Sequence, residues 1–170
     1  MRKQVWQNLW AAAAIAAASL VLAGCVLMVD PQTANRRALE ETDAAARVSA
    51  LMTNLQTIRS QLLIYKAQHK EKLPGPTPED FVRQLTQYTD AAGNTAANRD
   101  AEHPHGPYLL AIPRNPISGS AEVRIVGGAA TKFMPPAKDG GWWFNPAREE
   151  FYADLADSHV TPDGRKMNGL

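Results

Sequence analysis

No glycine or proline interrupts the chain from Gln32 to Lys72. A stretch of this kind favours one long helix over any other element. Asp30-Pro31 marks its start, a capping carboxylate followed by proline where no amide donor is needed. Val48, Leu51, Leu55, Ile58, Leu62 and Tyr65 recur at spacings of 3-4-3-4-3, which places them on one helical face. Met52 and Leu63 widen that face, while Arg47, Gln56, Arg59, Lys66 and Lys70 fall mostly on the other side. Lys66, Lys70 and Lys72 suit a helix C-terminus, and Leu73-Pro74-Gly75-Pro76 stops the helix. Gln32 to Ala46 carries little apolar surface and reads as a stalk. The stripe has two readings: a face turned to the core, or a seam that also meets partner helices. It runs for too few heptads to define a coiled coil.

The remainder reads as short elements. Thr77-Pro78-Glu79-Asp80 repeats the helix-start signal, and Phe81, Val82, Leu85 and Tyr88 follow with amphipathic spacing. Residues 90–107 read as a loop and Tyr108 to Ile112 as an edge strand. Glu122-Val123-Arg124-Ile125-Val126 alternates as a half-buried strand, ended by Gly127-Gly128. Ala129 to Gly141 reads as a polar loop. Trp142-Trp143-Phe144 and Glu150-Phe151-Tyr152-Ala153 flank a short turn, which predicts a hairpin with Trp142 and Phe144 on one face and Trp143 on the other. The expected fold class is α+β, a long N-terminal helix packed on a small antiparallel β-sheet.

Upstream, Arg2 and Lys3 precede an apolar run from Leu9 to Val29, broken only by Ser19 and Gly24. Its length suits a hydrocarbon core of about 30 Å. Its basic start, apolar middle and small residues also suit an export signal. Leu22-Ala23-Gly24-Cys25 resembles the box cut before lipid attachment, so Cys25 is the candidate lipidation site. Val26-Leu27-Met28-Val29 instead favours a plain span. Both readings place the body outside the cytoplasm. Residues 1–29 are thus a signal peptide or membrane anchor, 30–46 a helical stalk, 47–157 a globular domain and 158–170 a polar tail.

With 18 basic and 17 acidic residues, the charge balance argues against a nucleic-acid partner. A single cysteine makes no internal disulfide and no Cys-based zinc site. His103-Pro104-His105 offers two imidazoles, which alone do not close a metal site, and His69 or His159 could join only through the fold. Asp154, Asp157 and Asp163 place oxygen ligands at short spacing, a weak calcium candidate without EF-hand spacing. Ser118-Gly119-Ser120 lacks the context of a nucleophile elbow, and no phosphate-binding or dinucleotide fingerprint is present. No enzyme is expected.

In order, the segments ARVSALMTNLQTIRSQLLIYKAQH (Ala46 to His69), LPG (Leu73 to Gly75), GPYLLAIPRNPISG (Gly106 to Gly119) and GGWWFNPAREEFYADL (Gly140 to Leu155) make the sequence resemble the type IV pilin-like proteins, most closely the major pseudopilin of type II secretion. The resemblance covers most of residues 46–157. It implies a non-enzymatic subunit whose helix anchors it in the membrane and packs into a filament, with the body in the periplasm or exterior. It also implies other pilin-like subunits or secretion-system proteins as partners, and calcium held near the C-terminus. Val48, Leu51, Leu55, Ile58, Leu62 and Tyr65 would then form the assembly helix. The N-terminus departs from the family pattern, because nothing matches a Gly-Phe-Thr-Leu-Ile-Glu-like cleavage site. The alternative is an envelope lipoprotein with a pilin-like body in a binding or scaffold role.

Overall fold

The uninterrupted stretch forms helix α1, Pro31–Gln68, of 38 residues, about 57 Å long at 1.5 Å per residue. The structure, a computed structural model, describes residues 31–129 and 131–170. The chain divides into two compact units, Met1–Glu41 and Thr42–Leu170. In the first, the described residues are the opening turns of α1, exposed from Ala34 to Glu41. In the second, burial on α1 begins at half-buried Val48 and is complete at Leu51, Leu55, Ile58, Leu62 and Tyr65. The stripe is therefore a core face. The helix stops at Gln68, short of the expected Lys72. Lys70 and Glu71 turn left-handed at φ 55° and 64°. The Glu71 amide donates to the Lys66 carbonyl at 3.1 Å, which closes the helix end.

Thr77 starts helix α2, Pro78–Thr86, accepting from the Asp80 amide at 3.1 Å. Phe81 and Leu85 are buried on its inner face, whereas Val82 stays exposed. Tyr88, expected on the helix, instead opens β1 (Tyr88–Thr89), which pairs antiparallel with β2 (Thr95–Ala96) inside the expected loop. Tyr108 to Ile112 is not a strand. The amides of Tyr108 and Leu109 both donate to the Leu85 carbonyl at the end of α2, so this segment is tied to a helix rather than to a ladder.

The main sheet has the order β3 (Val123–Ile125), β4 (Trp142–Asn145), β5 (Glu150–Ala153). β4 and β5 form the expected antiparallel hairpin, with Trp142 opposite Ala153 and Phe144 opposite Phe151. β3 runs parallel to β4, so the sheet is mixed rather than wholly antiparallel. The physical reason is the connection. A parallel neighbour needs a long return path, and residues 126–141 supply it. Trp142, Phe144 and Phe151 meet Phe81 and the α1 stripe in one core. Each buried aromatic removes roughly 150–250 Å² from water, at about 25 cal/mol per Å² of apolar area. The other sheet face is also covered. Trp143 is 1 % exposed, packed edge-on against Phe133 at 5.4 Å and beside Tyr152 at 5.7 Å. The segment expected to be a polar loop thus supplies the aromatic ring of Phe133 as a cover for Trp143.

Candidate functional site

The side chains singled out in the sequence meet different fates. Cys25 and the whole apolar run, residues 9–29, lie outside the described residues. Among the described residues, no helix is long and apolar enough to cross a membrane. Of the assembly residues, Leu51, Leu55, Ile58, Leu62 and Tyr65 are buried against the chain's own body, and Val48 is half-buried against it. The apolar side chains that this part of α1 leaves in solvent are Met52, Leu63 and Ile64, which are 47 %, 65 % and 45 % exposed.

The three aspartates do not converge. Asp154 is buried and forms a two-oxygen pair with Arg124, whose Nε lies 2.8 Å from Oδ2. This bond raises the proton affinity of Arg124. Asp157 accepts from Lys166 and from the Asn168 side chain at 3.0 Å. Asp163 accepts from Thr161 and from Arg165 at 2.8 Å. Each carboxylate thus holds its own local donors. Among the described residues, no three of His, Cys, Asp and Glu are placed to hold a metal ion. His103 pairs with Asp100 at 2.9 Å and His159 with Asp139 at 2.5 Å. His69 and His105 do come together, with ring centroids 5.4 Å apart.

Several organising residues carry weak sequence signals. Arg59, read as facing away from the core, is half-buried. Its Nε and a terminal nitrogen donate to the Phe151 carbonyl at 3.0 and 2.6 Å, and the terminal nitrogen also reaches the Leu170 oxygen at 2.7 Å. Its guanidinium carbon lies 5.7 Å from the Tyr152 ring centroid. It therefore ties α1 to the outer edge of β5, whose carbonyl would otherwise lack a partner. Desolvation lowers its proton affinity, yet arginine remains charged.

Gly140-Gly141 is a second signal. A Cβ at Gly140 would lie 2.8 Å from Asp154 Oδ2. One at Gly141 would overlap the Glu122 carbonyl and lie 2.8 Å from the Glu122 amide nitrogen. The glycine pair lets the strand that becomes β4 pass against Ser120–Glu122 and the Arg124–Asp154 pair. Beside it opens a groove of about 1060 Å³ between α2, residues 118–124 and residues 136–141. Of the cations that line it, Arg83 and Arg124 are engaged by Asp80 and Asp154, and Lys138 lines it as well. Ser118 donates to the Gly140 carbonyl at 2.6 Å rather than to an imidazole. The groove offers a mixed polar surface, with both its serines bonded to the backbone, Ser118 to the Gly140 carbonyl and Ser120 to the Glu122 amide.

No protein-family model, curated protein or solved structure matches the chain.

Proposed function

We propose that the chain is a non-enzymatic, pseudopilin-like subunit or accessory protein of a type II secretion or type IV pilus-like system. The observation that carries this reading is α1. It is a single long helix that gives its apolar stripe to a small α+β body from Val48 onward and leaves Met52, Leu63 and Ile64 in solvent. The four ordered sequence segments support the same reading. Assembly then proceeds through the exposed side of α1 and through body surfaces around the hairpin, because the stripe is already covered. The protein works in the cell envelope, anchored by residues 1–29, with its body in the periplasm or exterior. A second reading rests on Leu22-Ala23-Gly24-Cys25: a lipoprotein whose pilin-like body binds or scaffolds envelope partners.

Two experiments test these readings. Cross-linking in cells through Leu63→Cys should yield adducts with other pilin-like subunits, and a chain that stays alone counts against assembly. Intact-mass measurement of membrane-extracted protein should show acyl chains on Cys25 and loss of residues 1–24 under the lipoprotein reading. An unmodified full-length mass removes that reading.

A further inference from the structure

His69 follows the last residue of α1 and is 1 % exposed. Its Nδ1 lies 2.7 Å from the Tyr65 carbonyl oxygen, which can only accept, so Nδ1 carries the proton. Its Nε2, 2.9 Å from Thr89 Oγ1, is then the acceptor of the threonine hydroxyl. The ring lies flat on Tyr65, with centroids 3.7 Å apart and planes 4° from parallel. The rings of His105 and Tyr108 meet it edge-on at 5.4 and 6.1 Å. Thr89 is itself fully buried, and its amide and carbonyl both pair with the backbone of His105, at 2.9 and 3.1 Å. One residue, Thr89, therefore joins the end of α1 through its hydroxyl and the segment around His105 through its backbone.

The bonds as they stand suit a neutral imidazole. A proton added to Nε2 turns that atom into a donor, and the Thr89 hydroxyl must rotate to accept from it. The buried cation gains no carboxylate bond in exchange. The charged or titratable groups facing it are Tyr65 on α1, Asp90 after β1, and His105 and Tyr108 on the neighbouring segment. Asp90 already accepts from the amides of Ala92 and Asn94 and from the Asn94 side chain. We propose that the His69–Thr89 contact is an acid-sensitive latch, which holds β1 and the His105 segment to the end of α1 at neutral pH and releases them when His69 takes up a proton.

The direction follows from burial. Desolvation is the largest influence on His69 and lowers its proton affinity; nearby His105 acts in the same sense, while the Tyr65 carbonyl and Asp90 oppose it without reversing the direction. A histidine harder to protonate when folded contributes stability that is complete above its ordinary range near 6.5 and is lost as pH falls through the lowered value.

The test is amide hydrogen exchange on the full chain at about pH 7.5 and about pH 5, corrected for intrinsic rates. Protection at Thr89 and His105 is expected to fall roughly tenfold more than at Trp143 and Tyr152 in the hairpin. His69→Gln, which keeps a polar side chain without a titrating ring, should abolish that difference. An equal change in both regions, or a difference that survives in His69→Gln, overturns the proposal. So does a difference abolished by His105→Gln alone. Should His69→Gln fail to fold, ring-nitrogen NMR of the unaltered chain decides. A proton on Nδ1 at neutral pH and a transition below the ordinary histidine range support the latch. A proton on Nε2, or a transition at or above that range, overturns it.

Discussion

The two antiparallel pairs of the body are held by opposite means. The β4–β5 hairpin is built from aromatic side chains buried on both faces, Trp142, Phe144 and Phe151 against the core and Trp143 under Phe133. The β1–β2 pair has two residues in each strand and takes its order from polar bonds. Asp90 gathers the turn through Ala92 and Asn94, and Thr89 links it to His69 and His105. Apolar burial is proportional to area and indifferent to pH over the carboxylate and histidine ranges. Polar bonds are directional and change with the protonation state of their members. The hairpin should therefore set overall stability, and the β1–β2 pair should set how the molecule responds to acid.

Substitutions graded in size can break this contrast. Trp142→Ala should cost the most, about 3–5 kcal/mol, because it empties the junction of α1, α2 and the sheet and removes a bond from Nε1 to the Pro113 carbonyl at 2.8 Å. Chemical denaturation would report it, and a loss under about 1 kcal/mol would show that the hairpin is not the stabilising half. Gly141→Ala should follow at about 2–3 kcal/mol, since the added Cβ meets backbone rather than a movable side chain. The same unfolding curves measure it. Thr89→Val keeps the shape of the side chain and removes only the hydroxyl. It leaves His69 Nε2 buried without its donor, so about 1–2 kcal/mol should be lost. A neutral outcome in thermal melts would mean that this end of α1 is held by packing alone. Asp90→Asn should have the smallest effect of the four, one that is present at neutral pH and fades in acid. Its carboxyl is held at about 2, chiefly by the Asn94 side chain and then by backbone amides. That contribution is present above the ordinary carboxylate range and disappears as pH falls towards about 2, so the asparagine variant should flatten the acid limb of a plot of Tm against pH.

Periodicity made the strongest elements legible. The spacing from Val48 to Tyr65 marked the core face of α1, Thr77-Pro78 marked the start of α2, and the aromatic runs on either side of a short turn marked a hairpin with its faces assigned. These are local features, written in turns of helix and pleats of strand. The candidate site was less legible. The pairing of Arg124 with Asp154 spans 30 positions, and that of Arg59 with Phe151 spans 92. No local pattern announces contacts at such separations. Of these, only the glycine pair at 140–141 left a trace, because close backbone approach excludes a Cβ.

By itself, then, the sequence determined that a long helix precedes a small α+β body, which helical face turns inward, and where the aromatic hairpin lies. Those outcomes follow from side-chain period and local backbone preference. Tertiary structure alone decided that β3 lies parallel to β4, that Phe133 covers Trp143, and that three candidate aspartates serve three separate sets of donors. It also decided that His69 is enclosed with its two ring nitrogens bonded in opposite senses. Each of these depends on where distant segments return, which is set by the joint burial of many side chains rather than by any one stretch of residues.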